Sequence, residues 1–256
     1  MPKKSLGQHF LFDPRILARI AAALGSHADE TILEIGPGRG TLTRELVKRG
    51  VRVVAIEKDR ELLPVLVRDV PEVTIIEGDA LELDWHVLTG GPFAVIGNIP
   101  YNITSPLIDK ALTPPRPRVV VFLVQKEVAE RVAAKPGGAE YGALSVGVQA
   151  VARVERLFNV SAGAFSPPPK VDSSVLRLTP LERPLVPDRD VAGFRRMVVG
   201  LFGFRRKQLL RGVRELTGLS IESARAIVAR ADLAETIRPQ ELSPADLVRL
   251  FTVLSG

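Results

Sequence analysis

Short apolar runs alternate with helix-like segments along the first two-thirds of the chain, and this alternation restricts the fold more than any other feature of the sequence. The apolar runs are rich in β-branched residues and cover Thr31–Ile35, Val51–Glu57, Val73–Ile76, Phe93–Gly97 and Val119–Val124. Near-continuous apolar runs of this length are typical of strands that are buried on both faces of a parallel sheet. Strands that alternate with helices predict a doubly wound α/β domain.

The remaining segments complete this interpretation. We predict helices at Thr41–Arg49, Arg60–Val67, Ser105–Ala111 and Lys126–Ala133, and two further strands at Leu144–Val151 and Ser174–Leu178. Residues 179–190 contain three prolines and are typical of a linker. After them the pattern is helical over residues 191–202, 205–217, 220–231 and 243–254. The sequence thus predicts an α/β domain over residues 1–180 and a small all-α domain over residues 188–256.

Composition excludes several classes of protein. No apolar run reaches the roughly 18 residues of a membrane span. The first residues lack the apolar core of a secretory signal, so we expect a cytoplasmic protein with no membrane partner. The chain has no cysteine, which excludes disulfides, thiolate zinc sites and cysteine nucleophiles. His9, His27 and His86 stand far apart in the sequence, so we expect no metal.

A glycine-rich turn follows the first predicted strand and opens a helix. Its sequence is Glu34-Ile-Gly-Pro-Gly-Arg-Gly40, and glycines there let backbone N–H groups approach a ligand beside the positive end of the helix. Gly36 and Gly38 fit the dinucleotide fingerprint, but Thr41 stands where that fingerprint needs its third glycine. A dehydrogenase is therefore a remote alternative. The turn could also be no more than a tight connection between strand and helix, without a ligand.

Two carboxylates follow the next two strands. Glu57 lies 21 residues after Gly36, where it can accept both hydroxyls of a ribose, and Asp79 can accept from an adenine amino group. Each acid alone is equally well explained as a strand-end residue or a helix cap. Because ligands bind at the carboxyl edge of such sheets, the three features together favour an adenosyl-type pocket.

The segment Asn98-Ile-Pro-Tyr101 follows the fourth strand at the same predicted edge. The Asn98 side chain and the main-chain carbonyl of Pro100 offer acceptors for an exocyclic amine, and Tyr101 offers an aromatic face. Two acceptors on the amine hydrogens would free the nitrogen lone pair for attack. The competing interpretation is a simple Asn-Pro turn.

Several motifs together resemble those of the KsgA/Dim family of small-subunit rRNA adenine-N6,N6-dimethyltransferases, nearly end to end. They are Leu6-Gly-Gln-His-Phe-Leu11, the glycine turn, Asn98–Tyr101, Gln125-Lys-Glu-Val128, Phe165-Ser-Pro-Pro-Pro-Lys-Val-Asp-Ser173 and Phe204-Arg-Arg-Lys207. The resemblance implies a Rossmann-like, class I S-adenosylmethionine-dependent methyltransferase domain with a mostly parallel seven-stranded sheet. It implies S-adenosylmethionine as methyl donor, with no metal, and dimethylation of two adjacent adenines in the 3′-terminal hairpin of small-subunit rRNA.

The resemblance also assigns roles to residues. It places His9, Leu11, Gly36, Gly38, Glu57, Asp79, Ala80 and Asn98 at the donor site, and Asn98, Pro100, Tyr101 and Phe165 at the reacting base. The family commonly has Asn where this chain has His9, and either side chain can form hydrogen bonds. The target adenine would stack between Tyr101 and Phe165. Without the resemblance, we would interpret Phe165 as an aromatic residue of the core.

Basic residues are concentrated near the chain's last third. Residues 181–256 carry a net charge of +4, out of +6 for the whole chain, which suits a polyanion. We expect RNA contacts from Arg205, Arg206, Lys207, Arg211 and Arg214, with the last three on one helical face. A solvated charged face is the competing interpretation. Lys3 and Lys4 are further candidates for RNA contact.

Two other functions remain open at this stage. An Erm-like large-subunit rRNA methyltransferase shares the chemistry, although residues 165–173 and 204–207 favour the small-subunit branch. A ribosome-assembly or RNA-binding factor without catalysis is the second alternative, and the intact pocket residues argue against it. We expect a monomer whose partner is small-subunit rRNA within a 30S-type particle.

Overall fold

A computed structural model describes residues 8–25 and 30–256. The chain divides into two compact units, the first formed by residues up to Ala129 with Val154–Pro180, and the second by Glu130–Arg153 with Leu181–Gly256. The division predicted at residue 180 differs from this one by residues 130–153, which belong with the helical unit. Lys3, Lys4, His27 and the first two residues of the Leu6–Leu11 motif lie outside the described residues.

Nine strands are present in the described chain. They are β1 (Phe10–Leu11), β2 (Thr31–Ile35), β3 (Arg52–Glu57), β4 (Thr74–Glu77), β5 (Phe93–Asn98), β6 (Val120–Gln125), β7 (Ala152–Val160), β8 (Phe165–Ser166) and β9 (Ser173–Pro180). Seven of them form one sheet in the order β4-β3-β2-β5-β6-β9-β7, and β1 pairs with β8 separately. The first five strands of this order are parallel, whereas β9 is antiparallel to β6. The predicted mostly parallel seven-stranded sheet is confirmed.

The α-helices of the described chain follow in the same order. They are α1 (Pro14–Ala22), α2 (Thr41–Val47), α3 (Leu63–Asp69), α4 (Trp85–Thr89), α5 (Thr104–Ala111), α6 (Lys126–Ala133), α7 (Ala143–Gln149), α8 (Val191–Phe202), α9 (Leu209–Thr217), α10 (Ile221–Arg230) and α11 (Pro244–Ser255). Capping side chains fix several starts: Asp13 accepts from the first turn of α1, and Ser220 and Ser243 do the same for α10 and α11. In the described ranges, no helix has the length and apolar character to cross a membrane.

Two predictions of secondary structure are wrong. The segment Leu144–Val151, predicted as a strand, lies in α7, whose residues Ser145, Val146, Gly147 and Val148 are all buried. A helix buried on most sides shows no 3.6-residue apolar pattern, so its sequence resembles a buried strand. The helix predicted from residue 205 begins at Leu209, because Arg205, Arg206 and Lys207 lie in turns. The strand β7, which follows α7, was not predicted.

The core of the first unit lies on both faces of the sheet, and every residue of β2 is buried. Gly97 on β5 allows the close approach of its neighbouring strand. A Cβ atom added there would lie 2.6 Å from the backbone oxygen of Ile35 and 2.8 Å from Cδ1 of Ile99. The backbone oxygen belongs to the paired strand and cannot move away without breaking the sheet register.

Gly97→Ala therefore tests the tight contact between β5 and β2. We expect the free energy of unfolding to fall by about 1–3 kcal/mol, which is the usual cost of overpacking a core. Gly91→Ala is the matched control, because a Cβ atom at Gly91 meets nothing within 4 Å. Urea denaturation of both variants measures the difference. Equal stabilities of the two variants would show that the sheet has room at Gly97.

Candidate active site

A cavity lies at the carboxyl ends of β2, β3, β4 and β5. The chain runs from β2 to β3 and β4 on one side of β2 and then crosses back to β5 on the other side, and ligands of open α/β sheets bind at such a switch point. The predicted site residues that line this cavity are His9, Leu11, Gly36, Gly38, Glu57, Asp79, Ala80, Asn98, Pro100 and Tyr101. All of them belong to the first unit.

The glycine turn is fixed by a carboxylate from the neighbouring strand. The N–H group of Gly38 donates to Oε2 of Glu57 over 3.0 Å, and the N–H group of Asp59 donates to Oε1 of Glu57 over 2.7 Å. Gly38 has a φ of +59°, and an added Cβ atom would lie 2.9 Å from the Phe10 ring. Burial raises the pKa of Glu57, while these backbone hydrogen bonds lower it. Each Glu57 oxygen retains a further lone pair for a ligand hydroxyl.

Asp79 lies at the rim of the cavity next to a lysine. Oδ2 of Asp79 accepts from Nζ of Lys58 over 2.6 Å, and Oδ1 accepts from the N–H group of Leu81 over 2.9 Å. The hydrogen bond from Lys58 is the main reason that the pKa of Asp79 lies below its usual range. Asp79 is therefore an ionised acceptor with a fixed orientation. The neighbouring Ala80 is buried, and its carbonyl accepts from Nε1 of Trp85 over 2.8 Å.

Residues 8–12, which we call the N-terminal segment, cross the cavity. The His9 carbonyl accepts from Nδ2 of Asn98 over 2.8 Å, and Nδ1 of His9 donates to the Pro167 carbonyl over the same distance. The His9 ring stacks on Tyr101, with ring centroids 5.8 Å apart and planes 25° apart. His9 thus contacts the predicted catalytic segment through its backbone and its ring.

The acceptors of Asn98–Tyr101 differ in availability. Because Nδ2 of Asn98 donates to His9, the amide orientation is fixed, and Oδ1 receives no hydrogen bond from the described residues. The Pro100 carbonyl already accepts from the N–H group of Ile103 over 3.1 Å and from Oγ1 of Thr104 over 3.3 Å. The Ile99 carbonyl, which adjoins Asn98, receives no hydrogen bond in the described chain. The predicted role of the Pro100 carbonyl would therefore require an internal hydrogen bond to break.

Tyr101 is anchored at its polar end. Its hydroxyl group forms a hydrogen bond of 2.9 Å with Oγ of Ser173, and its ring is half-buried. Burial raises the pKa of Tyr101, so its hydroxyl group stays protonated. The ring is therefore a neutral stacking surface rather than a base.

Phe165 does not lie where the sequence placed it. It pairs with Leu11 between β1 and β8, is 3% exposed, and belongs to the apolar core of the first unit. It does not line the cavity. Because the Phe165 ring is buried in this core, it could stack on a base only after a rearrangement that exposes it.

The predicted RNA-binding residues lie in the second unit. Arg205, Arg206 and Lys207 are exposed in the turns before α9, and Arg211 and Arg214 are exposed on α9 itself. Lys207 precedes the helix, so the prediction that it shares a helical face with Arg211 and Arg214 is wrong. Gln208, at the start of α9, has an extended backbone that separates Lys207 from the helix.

Glu34 is a cavity residue to which the sequence analysis gave no role. It lies on β2, is 1% exposed, and lines the cavity. Its Oε2 atom has no hydrogen-bond partner among the described residues. Burial raises the pKa of Glu34 to about 8, the Thr43 hydroxyl group lowers it, and the charge of Glu57 raises it further. The signal in the sequence was an acidic residue inside an otherwise apolar strand.

The charges that line the cavity favour a cationic ligand. Three acidic residues line the cavity, Glu34, Glu57 and Asp79. Among the described residues of its wall, Lys58 is the one lysine or arginine, and it is already paired with Asp79. Within the described ranges, no group of three or more histidines and acids could hold a metal ion.

A parallel sheet of this order, with a glycine turn and acidic residues at its carboxyl edge, defines a Rossmann-like methyltransferase. The structure is similar to a dimethyladenosine transferase from Plasmodium falciparum (TM-score 0.78, 26% identity, 94% of this chain and 96% of that one). It is also similar to the 23S rRNA methyltransferase ErmE (TM-score 0.73, 28% identity, 96% of this chain and 100% of that one). The chain belongs to the ribosomal RNA adenine dimethylase family, which it matches over residues 2–254.

Two sequence relatives share the same name. The chain is 42% identical over 259 residues to the ribosomal RNA small subunit methyltransferase A of Pseudomonas aeruginosa, covering 99% of this chain and 94% of that protein. It is 40% identical over 255 residues to the protein of the same name in Chlorobium chlorochromatii, covering 98% and 93%. The predicted family is confirmed.

Phe165→Ala tests the buried position of this ring. We expect the free energy of unfolding to fall by about 3–5 kcal/mol, as for other buried phenylalanines. Phe12→Ala is the matched control, because Phe12 is 57% exposed and its loss should change stability by at most about 0.5 kcal/mol. Denaturant unfolding compares the two variants. A loss below 1 kcal/mol at Phe165 would place its ring outside the core.

Proposed function

We propose that this protein transfers methyl groups from S-adenosylmethionine to N6 of two adjacent adenines in the 3′-terminal hairpin of small-subunit rRNA. The observation that carries the proposal is the Asn98 side chain, whose Oδ1 atom is an oriented and unused acceptor beside the cavity. Family membership supports adenine dimethylation, and the name of the relatives supports the small subunit. The ribosomal particle as substrate, the monomeric state and the cytoplasmic location are parts of the same proposal.

The cavity suits the proposed donor on two counts. Its walls combine a glycine turn, which leaves room for a ligand, with acidic side chains that favour a positive charge. By their positions, Glu57 would accept from the ribose hydroxyls, Asp79 would accept from the adenine amino group, and Gly36 and Gly38 would lie along the donor. When bound, S-adenosylmethionine supplies a methyl group activated by a sulfonium centre.

The acceptors next to β5 would orient the target amine. Oδ1 of Asn98 and the Ile99 carbonyl would each accept one N6 hydrogen, because the Pro100 carbonyl is already occupied. These two hydrogen bonds favour a pyramidal nitrogen whose lone pair is free to attack. The chemistry needs no strong base, because the ammonium product is acidic and releases its proton to water. Positioning of this kind can supply up to about 7–11 kcal/mol of the barrier.

Tyr101 would provide the stacking surface for the extruded adenine. Stacking of a base on an aromatic side chain is worth about 1–3 kcal/mol, which offsets part of the cost of extrusion. His9 covers one face of the Tyr101 ring. The base must therefore use the other face or displace the His9 ring.

The Erm-like alternative predicts methylation of the large subunit instead. ErmE is 28% identical to this chain, whereas the small subunit methyltransferase A of Pseudomonas aeruginosa is 42% identical. Both cover nearly the whole chain, so the difference favours the small subunit. A factor that only binds RNA would have no use for the oriented Asn98 acceptor.

Asn98→Ala separates catalysis from binding. We expect at least a hundredfold loss of labelled methyl transfer to small subunits that lack their native adenine methylations, because the oriented acceptor is removed. Asn159→Ala is the matched control, because Asn159 is exposed on β7 and does not line the cavity. Transfer to small and large subunits is measured side by side. Label on the large subunit alone would support the Erm-like alternative, and an undiminished rate in Asn98→Ala would refute the assigned role.

Arg205→Ala with Arg206→Ala tests the proposed RNA contact. We expect weaker binding to small subunits and a salt dependence that flattens by about 0.7–0.9 in log–log slope for each lost phosphate contact. Arg225→Ala with Arg230→Ala removes the same charge from exposed positions on α10 and is the control. Filter binding over a series of salt concentrations gives both slopes. Equal slopes for the two double variants would exclude Arg205 and Arg206 from the interface.

A further inference from the structure

Glu34 lies in surroundings that do not favour a charged carboxylate. On β2 it is level with Ala55 of β3 and Ile96 of β5, so the sheet offers it only apolar neighbours in register. Its Oε2 atom is buried without a hydrogen-bond partner among the described residues. The Thr43 hydroxyl group on α2 is close enough to offset part of the effect of burial on the pKa of Glu34, but its Oγ1 atom does not reach hydrogen-bond geometry. An isolated buried charge is costly, and a carboxyl group avoids this cost by keeping its proton.

The charged groups around Glu34 do not supply a compensating cation. Glu57, at the end of β3, adds a negative charge that disfavours ionisation of Glu34. Lys58 forms its ion pair with Asp79, and His9, on the N-terminal segment, contacts Pro167 and Tyr101. The described part of the chain contains no ion pair to Glu34. Among the described residues, none supplies a positive charge to Glu34, and we infer that the ligand does.

We propose that Glu34 is a neutral acid in the empty cavity and ionises when a cationic methyl donor binds, so that it distinguishes the sulfonium donor from its thioether product. This inference rests on the proposed function, because it takes S-adenosylmethionine as the ligand. Only the O–H bond of the Glu34 carboxyl group breaks, and its proton passes to the solvent. No other bond changes, and no other reactant is needed.

The difference in charge between donor and product determines with which of them Glu34 ionises. The donor carries a sulfonium charge that the product, S-adenosylhomocysteine, lacks, and both carry the same α-amino and carboxylate groups. A sulfonium bound close to Glu34 would stabilise the carboxylate by Coulomb attraction in a medium of low dielectric constant. The product gives no such attraction, so Glu34 takes up a proton again after methyl transfer. The pKa of Glu34, raised to about 8 in the empty cavity, makes the device effective near neutral pH.

The test measures proton release on binding and uses no activity assay. Isothermal titration calorimetry of donor and product in two buffers of different ionisation enthalpy gives the number of protons released. At pH 7 we expect nearly one proton more for the donor than for the product. Between pH 6.5 and 8 the ratio of product Kd to donor Kd should rise about tenfold, following proton linkage. The α-amino group that donor and product share titrates near pH 8. Its contribution to proton release is the same for both ligands and cancels when the product value is subtracted from the donor value.

Glu34→Gln keeps the shape of the side chain and removes its proton. We expect the extra proton to disappear and the Kd ratio to change less than twofold over the same pH range, whereas the exposed control Glu72→Gln behaves as the unmodified protein. If donor and product released equal numbers of protons on binding to the unmodified protein, the inference would be overturned. This outcome can be measured even if Glu34→Gln fails to fold. The absence of any donor binding would instead overturn the proposed function.

Discussion

The in-register parallel pairing of β2 with β3 and β5 is the constraint on which the site depends. Ile35 lies opposite Ile56 on one side and Gly97 on the other. The next residue of each strand or turn is Gly36, Glu57 or Asn98, so the glycine turn, the ribose acid and the catalytic segment leave the sheet at one level. A shift of one strand by one residue would turn its site residue to the opposite face. The tight backbone contact at Gly97 makes such a shift costly.

The same pairing explains how acids are tolerated in the interior. Glu57 ends its strand where backbone N–H groups of Gly38 and Asp59 are free to donate to it, so its charge is satisfied by the main chain. Glu34 lies two residues deeper in the sheet, level with Ala55 of β3, where the N–H groups of the strands are used by the hydrogen bonds of the sheet. The Glu57 carboxylate therefore fixes the glycine turn. Under the inference above, the Glu34 carboxyl group has no neutralising partner among the described residues until a ligand binds. The chain is basic as a whole, with a net charge of +6, but this cavity is acidic.

Most strands of the parallel part of the sheet, and the edge that carries the site, could be predicted because both follow from short-range patterns. Buried parallel strands have apolar runs, and ligand-binding residues follow the carboxyl ends of those runs, so Glu57, Asp79 and Asn98 could be placed together. Other features depend on tertiary contacts that leave no such pattern. The helix α7 is buried around most of its circumference and resembles a strand in sequence. The buried Phe165 lies opposite Leu11, which is far away along the chain. The prediction that Lys207 shares a helical face with Arg211 and Arg214 was wrong because Lys207 lies in a turn before α9.

The N-terminal segment lies next to both aromatic residues that were predicted to hold the target adenine, Tyr101 and Phe165. Its strand β1 pairs with β8, which contains the buried Phe165, and His9, one residue before β1, stacks on the Tyr101 ring. A base stacked between two rings needs them about 7–8 Å apart, twice the usual carbon–carbon contact distance. The centroids of His9 and Tyr101 are 5.8 Å apart, so no base fits between these rings. Because Asn98 holds the His9 carbonyl, the residue that would orient N6 also holds the segment that covers Tyr101. Use of the covered face of Tyr101 therefore requires the His9 ring to move while the backbone hydrogen bond to Asn98 persists.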